Sequence, residues 1–112
     1  MGHYQPPRED LELPAVLHAL SDPQRLRIVR CLAHEPGHPR ACGSFGLDLA
    51  KSTLTHHFRV LREAGVIAQC ADRTARLNSL RREDLDARFP GLLDAVLAAV
   101  PAQAPRAPAP LA

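Results

Sequence analysis

The sequence has few cysteines, almost no lysine and no long apolar run, and each shortage closes off a class of protein. Its three cysteines, Cys31, Cys42 and Cys70, are an odd number with no close pair. They build no disulfide framework and suit a reducing, cytoplasmic compartment. No apolar stretch exceeds a few residues, so no membrane span, no secretory segment and no membrane partner are expected. Met1-Gly2 is followed by Pro6 where a myristoylation signal carries Ser or Thr, which argues against a lipid anchor. The chain has no phosphate-binding glycine loop and no Ser/His/Asp or Cys/His arrangement in a nucleophile context. His56 and His57 are adjacent, which on a helix points their rings about 100° apart. The chain is therefore expected not to be an enzyme and to need no cofactor. One Lys stands against thirteen Arg, a bias that GC-rich coding alone can produce.

What is present fits one domain. The 112 residues, 46% hydrophobic and 23% charged, suit a soluble globular chain with a single small core. The net charge of +2 is unevenly spread. Residues 1–50 hold five Arg and six acids, and residues 83–112 hold two Arg and four acids. Between them, residues 51–82 hold seven basic residues and two acids, a balance of +5. A basic block between mildly acidic flanks is the electrostatic footprint of a polyanion site.

Inside that block lies the most informative segment, Ser52 to Gly65, reading STLTHHFRVLREAG. Leu54, Phe58 and Leu61 step by four and three, marking the buried face of a helix. The other face carries Thr53, Thr55, His56, Arg59 and Arg62, all hydrogen-bond donors, with Glu63 as its acid. Gly65 provides a left-handed cap, and Val66 is the apolar residue expected to fold back after it. A short helix with one apolar and one donor-rich face matches what a DNA major groove requires. His57 lies nearer the apolar side and is expected to be a packed core histidine.

The remaining elements follow from pattern. Residues 1–8, with Pro6-Pro7, read as a flexible arm, and residues 9–100 as the folded domain. Leu13, Val16, Leu17 and Leu20 give a first helix over roughly 10–20. Asp22-Pro23 starts a second running to about His34 that buries Leu26, Val29 and Leu32. At its start, Gln24 and Arg25 suit either a backbone contact or a capping role. A third, weaker helix is expected over Gly43 to Leu49. Val66–Cys70 and Ala75–Ser79 read as a hairpin with a four-residue turn and no glycine at its tip. Ser79 can cap a following helix, with Glu83 and Asp84 in its first turn, and Pro90 starts the last. Residues 101–112, with four Pro and five Ala, read as a disordered or polyproline-II tail.

Helix, helix, helix, helix, hairpin, helix is the order of a mainly α winged helix-turn-helix domain. ALSDPQRLRIVRCLA (Ala19–Ala33), STLTHHFRVLREAGVI (Ser52–Ile67) and LNSLRREDLDARFPGLLDAVL (Leu77–Leu97) cover most of the chain. Together they resemble the ArsR/SmtB family of bacterial transcriptional repressors. The resemblance implies a homodimer whose first and last helices pair across a two-fold axis, through Leu13, Val16, Leu17, Leu93, Val96 and Leu97. It also implies that the Ser52–Gly65 helix enters the major groove while the Asp72–Arg76 wing lies along the flanking backbone or minor groove.

Such a dimer reads half-sites about one helical turn apart in double-stranded DNA, an imperfect palindrome. Ser52, Thr53, Thr55 and His56 suit base edges or phosphates, and Arg59 suits phosphate or guanine. Arg62, Arg73 and Arg76 are assigned to phosphates. Family metal sites are mostly missing: Cys42 stands alone where a C-x-C pair is usual, and the last helix carries Asp94 but no His. No metal site is expected, Cys42 being the most reactive thiol if any is, and no inducer is assigned. Two other readings remain: a winged-helix protein–protein adaptor without specific DNA binding, and a related repressor with a small-molecule pocket between subunits.

Overall fold

The computed structural model describes residues 4–35, 37–41, 44–73 and 75–100. In chain order the described elements are a 3-10 turn (Arg8–Asp10), α1 (Leu13–Ala19), α2 (Pro23–His34), β1 (Arg40–Ala41) and α3 (Lys51–Ala64). They continue with β2 (Ile67–Asp72), β3 (Ala75–Leu80), α4 (Arg82–Arg88) and α5 (Leu92–Ala99). The sheet is antiparallel with order β1-β3-β2. The fold is a winged helix-turn-helix, as expected.

Local chemistry explains the boundaries. The Asp22 carboxylate accepts from the Gln24 and Arg25 amides at 2.8 and 3.2 Å, and Pro23 follows it at the first helical position. α3 ends where Gly65 turns left-handed at φ 87°. The Val66 amide then donates back to Leu61 O at 2.9 Å, and Val66 is fully buried behind the cap. The core gathers Leu11, Val16, Ile28, Val29, Phe58, Leu61, Ile67, Leu85 and Leu93 from every helix and the hairpin base.

Several expectations need correction. No helix forms over residues 46–50, although one was expected to reach Leu49. Gly46 adopts φ 69°, and the segment is held instead by Phe45, whose ring packs 5.4 Å from that of Phe58 and lies under the Arg40 guanidinium at 4.7 Å. Arg40 and Ala41 form the third strand, which was not foreseen. The hairpin ladder continues to the Asp72–Ala75 pair, tighter than a four-residue turn, and Ser79 is a strand residue, not a cap. α5 begins after Gly91 at φ 82°, two residues beyond Pro90.

From Tyr4 onward the arm, which the sequence predicts to be loose, is tied to the fold. The Gln5 side-chain amide donates to Gln69 O at 2.9 Å and accepts from Gln69 N at 2.8 Å. Pro6 is buried, and its carbonyl accepts from Arg81 Nη1 at 2.6 Å. The proposed tail, 101–112, lies outside the described residues.

Candidate nucleic-acid interface

The geometry of the interface starts from the stripe along α3. Leu54, His57, Phe58, Leu61 and Arg62 face inward, while Ser52, Thr53, Thr55, His56 and Arg59 are all exposed on the opposite side. Arg59 Nη2 lies 3.3 Å from His56 Nδ1, so the imidazole steadies the guanidinium on the open face. The helix starts at Ala50 with no side-chain cap and no acid in its first turn, and Lys51 is its first residue. Unmatched amides, the positive end of the helix dipole and a lysine together favour an anion there.

A buried polar joint fixes this helix against α1 and α2. Arg25 is only 6% exposed. Its Nε donates to Ala19 O at 2.7 Å and its Nη2 to His18 O at 3.1 Å, closing carbonyls at the end of α1. Its Nη1 lies 3.1 Å from His57 Nδ1. A guanidinium can only donate, so His57 Nδ1 accepts and the ring proton resides on Nε2. Burial pushes the His57 pKa below its ordinary value, Asp22 opposing and Arg25 and His56 adding to the fall. The folded chain thus binds fewer protons than the unfolded chain near pH 6. The joint's contribution is complete above the unfolded value of about 6.5 and is lost as pH falls through the lower, folded value. Thermal unfolding should therefore move to lower temperature between pH 7.5 and pH 5. The variant His57→Asn, which keeps an acceptor near Nδ1 but does not titrate, should flatten that slope. An equal slope in both chains would contradict this assignment.

The wing stands beside the helix. Arg73, exposed at the tip, takes the left-handed conformation at φ 58° that glycine usually supplies, and Arg76 is exposed on β3. Between α3 and the hairpin runs an open cleft of about 360 Å³, lined by Lys51, Thr55, Phe58, Arg62, Gln69, Arg73 and Arg76. The fold thus unites the helix start with the wing in one cationic groove. Arg62 forms its floor and is not on the open face: it is 5% exposed. Its Nε donates to Tyr4 O at 3.1 Å, its Nη1 to Gln69 Oε1 at 3.0 Å and its Nη2 to Glu63 at 3.3 Å. The expectation that Arg62 meets solvent phosphates is corrected accordingly.

The basic block is therefore narrower than its sum. Arg81 pairs with Asp84, and Arg82 with Asp86 and Asp94, so the acids of the C-terminal flank neutralise both. Lys51, Arg59, Arg73 and Arg76 have no ion pair among the described residues and make up the charge presented to solvent.

Sequence reasoning missed Gln69 and Asn78, both buried, and left Arg25 between a backbone contact and a capping role, of which the structure shows a buried cap on the α1 carbonyls. The signal for Arg25 was spacing: Arg25, Ile28, Val29 and Leu32 form the i, i+3, i+4, i+7 stripe that α2 buries, with Leu26 only half-buried beside it. Of the residues expected at a dimer interface, Val16 and Leu93 are instead inside the protomer's own core. Leu13 and Leu17 are 43% and 45% exposed, and Val96 and Leu97 are half-buried. Cys31 is half-buried and Cys70 exposed, whereas Cys42 lies outside the described residues. Among the described residues, no helix is long and apolar enough to cross a membrane.

Two comparisons with known proteins bear on this geometry. Residues 20–70, from the end of α1 into β2, match the model of a helix-turn-helix domain. The chain is also similar to the uncharacterized HTH-type transcriptional regulator YceK of Bacillus subtilis (strain 168). The two are 37% identical over 81 residues, covering 70% of this chain and 80% of that protein.

Proposed function

This chain belongs to the HTH-type transcriptional regulators, and on that premise we propose that it is a cytoplasmic, homodimeric repressor of the ArsR/SmtB kind. It binds an imperfect palindrome and occludes a promoter. The observation that carries this reading is the open face of α3, where Ser52, Thr53, Thr55, His56 and Arg59 stand exposed beside a cationic wing. Thr53, Thr55 and His56 meet base edges or phosphates, and Arg59 forks onto guanine or grips a phosphate. Arg73 and Arg76 hold the backbone and set register without reading sequence.

Leu13 and Leu17, one turn apart on α1 and each over two-fifths exposed, support self-association, because a solvent-facing pair of leucines gains by pairing across a two-fold axis. The substitution Leu17→Asp should shift the chain from dimer to monomer in sedimentation and weaken operator binding. A chain that sediments as a monomer before substitution would remove this support.

Footprinting on DNA upstream of the chain's own gene tests the whole reading. Two protected half-sites centred about 10 base pairs apart, or a multiple of that, are expected. A single protected half-site, or none, would contradict it.

A further inference from the structure

The buried face of α3 carries a polar chain that the reading residues do not use. Arg62 donates to Gln69 Oε1 on β2 at 3.0 Å. Gln69 Nε2 donates to Asn78 Oδ1 on β3 at 2.7 Å, from the directly opposite position in the ladder. Asn78 Nδ2 donates to Arg40 O on β1 at 2.9 Å. From the other side, Arg62 Nε binds Tyr4 O, while the Gln5 amide pairs with both main-chain groups of Gln69 as an added strand would. Arg62, Gln69 and Asn78 are each under 10% exposed. Burial lowers the Arg62 pKa, with Glu63 opposing, yet an arginine stays charged throughout the working range. A charge held in so little solvent is retained only where its donors are met, and here the acceptors belong to three different segments.

We propose that Arg62 is a positioning residue: its guanidinium fork, with Gln69, Asn78 and the strap Tyr4–Pro6, sets the reading helix at a fixed angle to the wing. The residue touches no DNA. It acts by holding the groove between Lys51 and Arg76 at one width, so that base-reading and phosphate-holding side chains meet the duplex together. The strap belongs to this device because Gln5 closes the free edge of β2 at the same residue that Arg62 grips from above.

The proposal rests on the DNA-binding reading, and two arms of one experiment separate them. In the first, the full chain and its variants Arg62→Lys and Gln5→Ala are titrated with the footprinted duplex and a scrambled duplex of equal length, across a salt series. A phosphate anchor would tolerate Lys, a phosphate binder in its own right, and its loss would lower the salt slope by about 0.9. A positioning fork tolerates neither change. Each variant should lose about tenfold in preference for the footprinted over the scrambled duplex, at temperatures where thermal melts show both folded. The second arm uses no DNA: amide exchange at Gln69 should accelerate about tenfold in both variants, while α2 amides keep their parent rates. Full preference retained by Arg62→Lys, or unchanged Gln69 exchange in both variants, would overturn the proposal. Should Arg62→Lys not fold, Gln5→Ala decides. Should the parent chain bind neither duplex, the DNA reading fails and the exchange arm decides this proposal alone.

Discussion

Replacing Gly65 by alanine is expected to lower stability by about 2–5 kcal/mol, in two separable parts. The backbone at this position has φ 87°, where any L side chain crowds the following carbonyl at roughly 1–2 kcal/mol. A Cβ there would also enter the space of Leu11 Cδ2 and stand 3.3 Å from both Leu11 Cγ and Pro6 Cγ. Leu11 is 1% exposed and Pro6 is a rigid, buried ring, so the intruding carbon displaces packed core, at a further 1–3 kcal/mol or so. For a domain of this size the melting temperature should fall by at least about 10 °C. Gly46 is the internal control: its φ of 69° is similar, but nothing lies within 4 Å of its Cβ position. The variant Gly46→Ala should therefore show only the backbone part, about 1–2 kcal/mol. Equal losses in the two variants would mean that the strap does not press on the end of α3.

That contrast matters for function because Gly65 is the point where helix, strap and wing meet. Leu11 and Pro6 bear on the cap, Tyr4 and Gln5 on Arg62 and Gln69, and the hairpin leaves directly from Val66. A loosened cap should affect DNA reading as well as folding.

The sequence was most legible where apolar spacing and backbone chemistry agree. Asp22-Pro23 and Gly65-Val66 each carry a donor, acceptor or conformational requirement that fixes a helix end regardless of tertiary context, and both ends fall where expected. The open face of α3 was legible for a similar reason, since period 3.6 sends Thr53, Thr55, His56 and Arg59 away from Leu54, Phe58 and Leu61. Spacing also held the truth about Arg62, eight residues after Leu54 on the same stripe, but its charge argued for solvent. Residue type misled because the partners that make burial tolerable, Tyr4 O and Gln69 Oε1, are 58 and 7 positions away and carry no local signature. Arg25 was legible in part: its capping acceptors are six and seven positions away, whereas His57 on α3 is 32 positions distant. The segment before α3 failed differently: its apolar content suggested a helix, whereas Gly46 and the stacking of Phe45 on Phe58 favour an anchored loop.

The second large effect concerns salt. Four cations of the basic block, Lys51, Arg59, Arg73 and Arg76, face solvent in each protomer without an ion pair among the described residues. In a dimer they allow about six to eight phosphate contacts, each releasing condensed counterions. Affinity for the footprinted duplex should then fall about 10³- to 10⁴-fold between 50 and 200 mM monovalent salt. Arg62, Arg81 and Arg82 are already engaged inside the protein and should add nothing to this slope. Base reading is expected to rest on Arg59, since a bidentate arginine–guanine pair discriminates by about 1–3 kcal/mol.

The most direct test is a titration of the full chain, Arg59→Ala and Arg73→Ala with the footprinted and scrambled duplexes over that salt range. The account predicts a steep salt dependence for the parent chain. It also predicts at least about fivefold loss of sequence preference in Arg59→Ala, and equal weakening on both duplexes in Arg73→Ala. Binding indifferent to salt, or two variants that behave alike, would contradict the claim that α3 and the wing divide reading from holding.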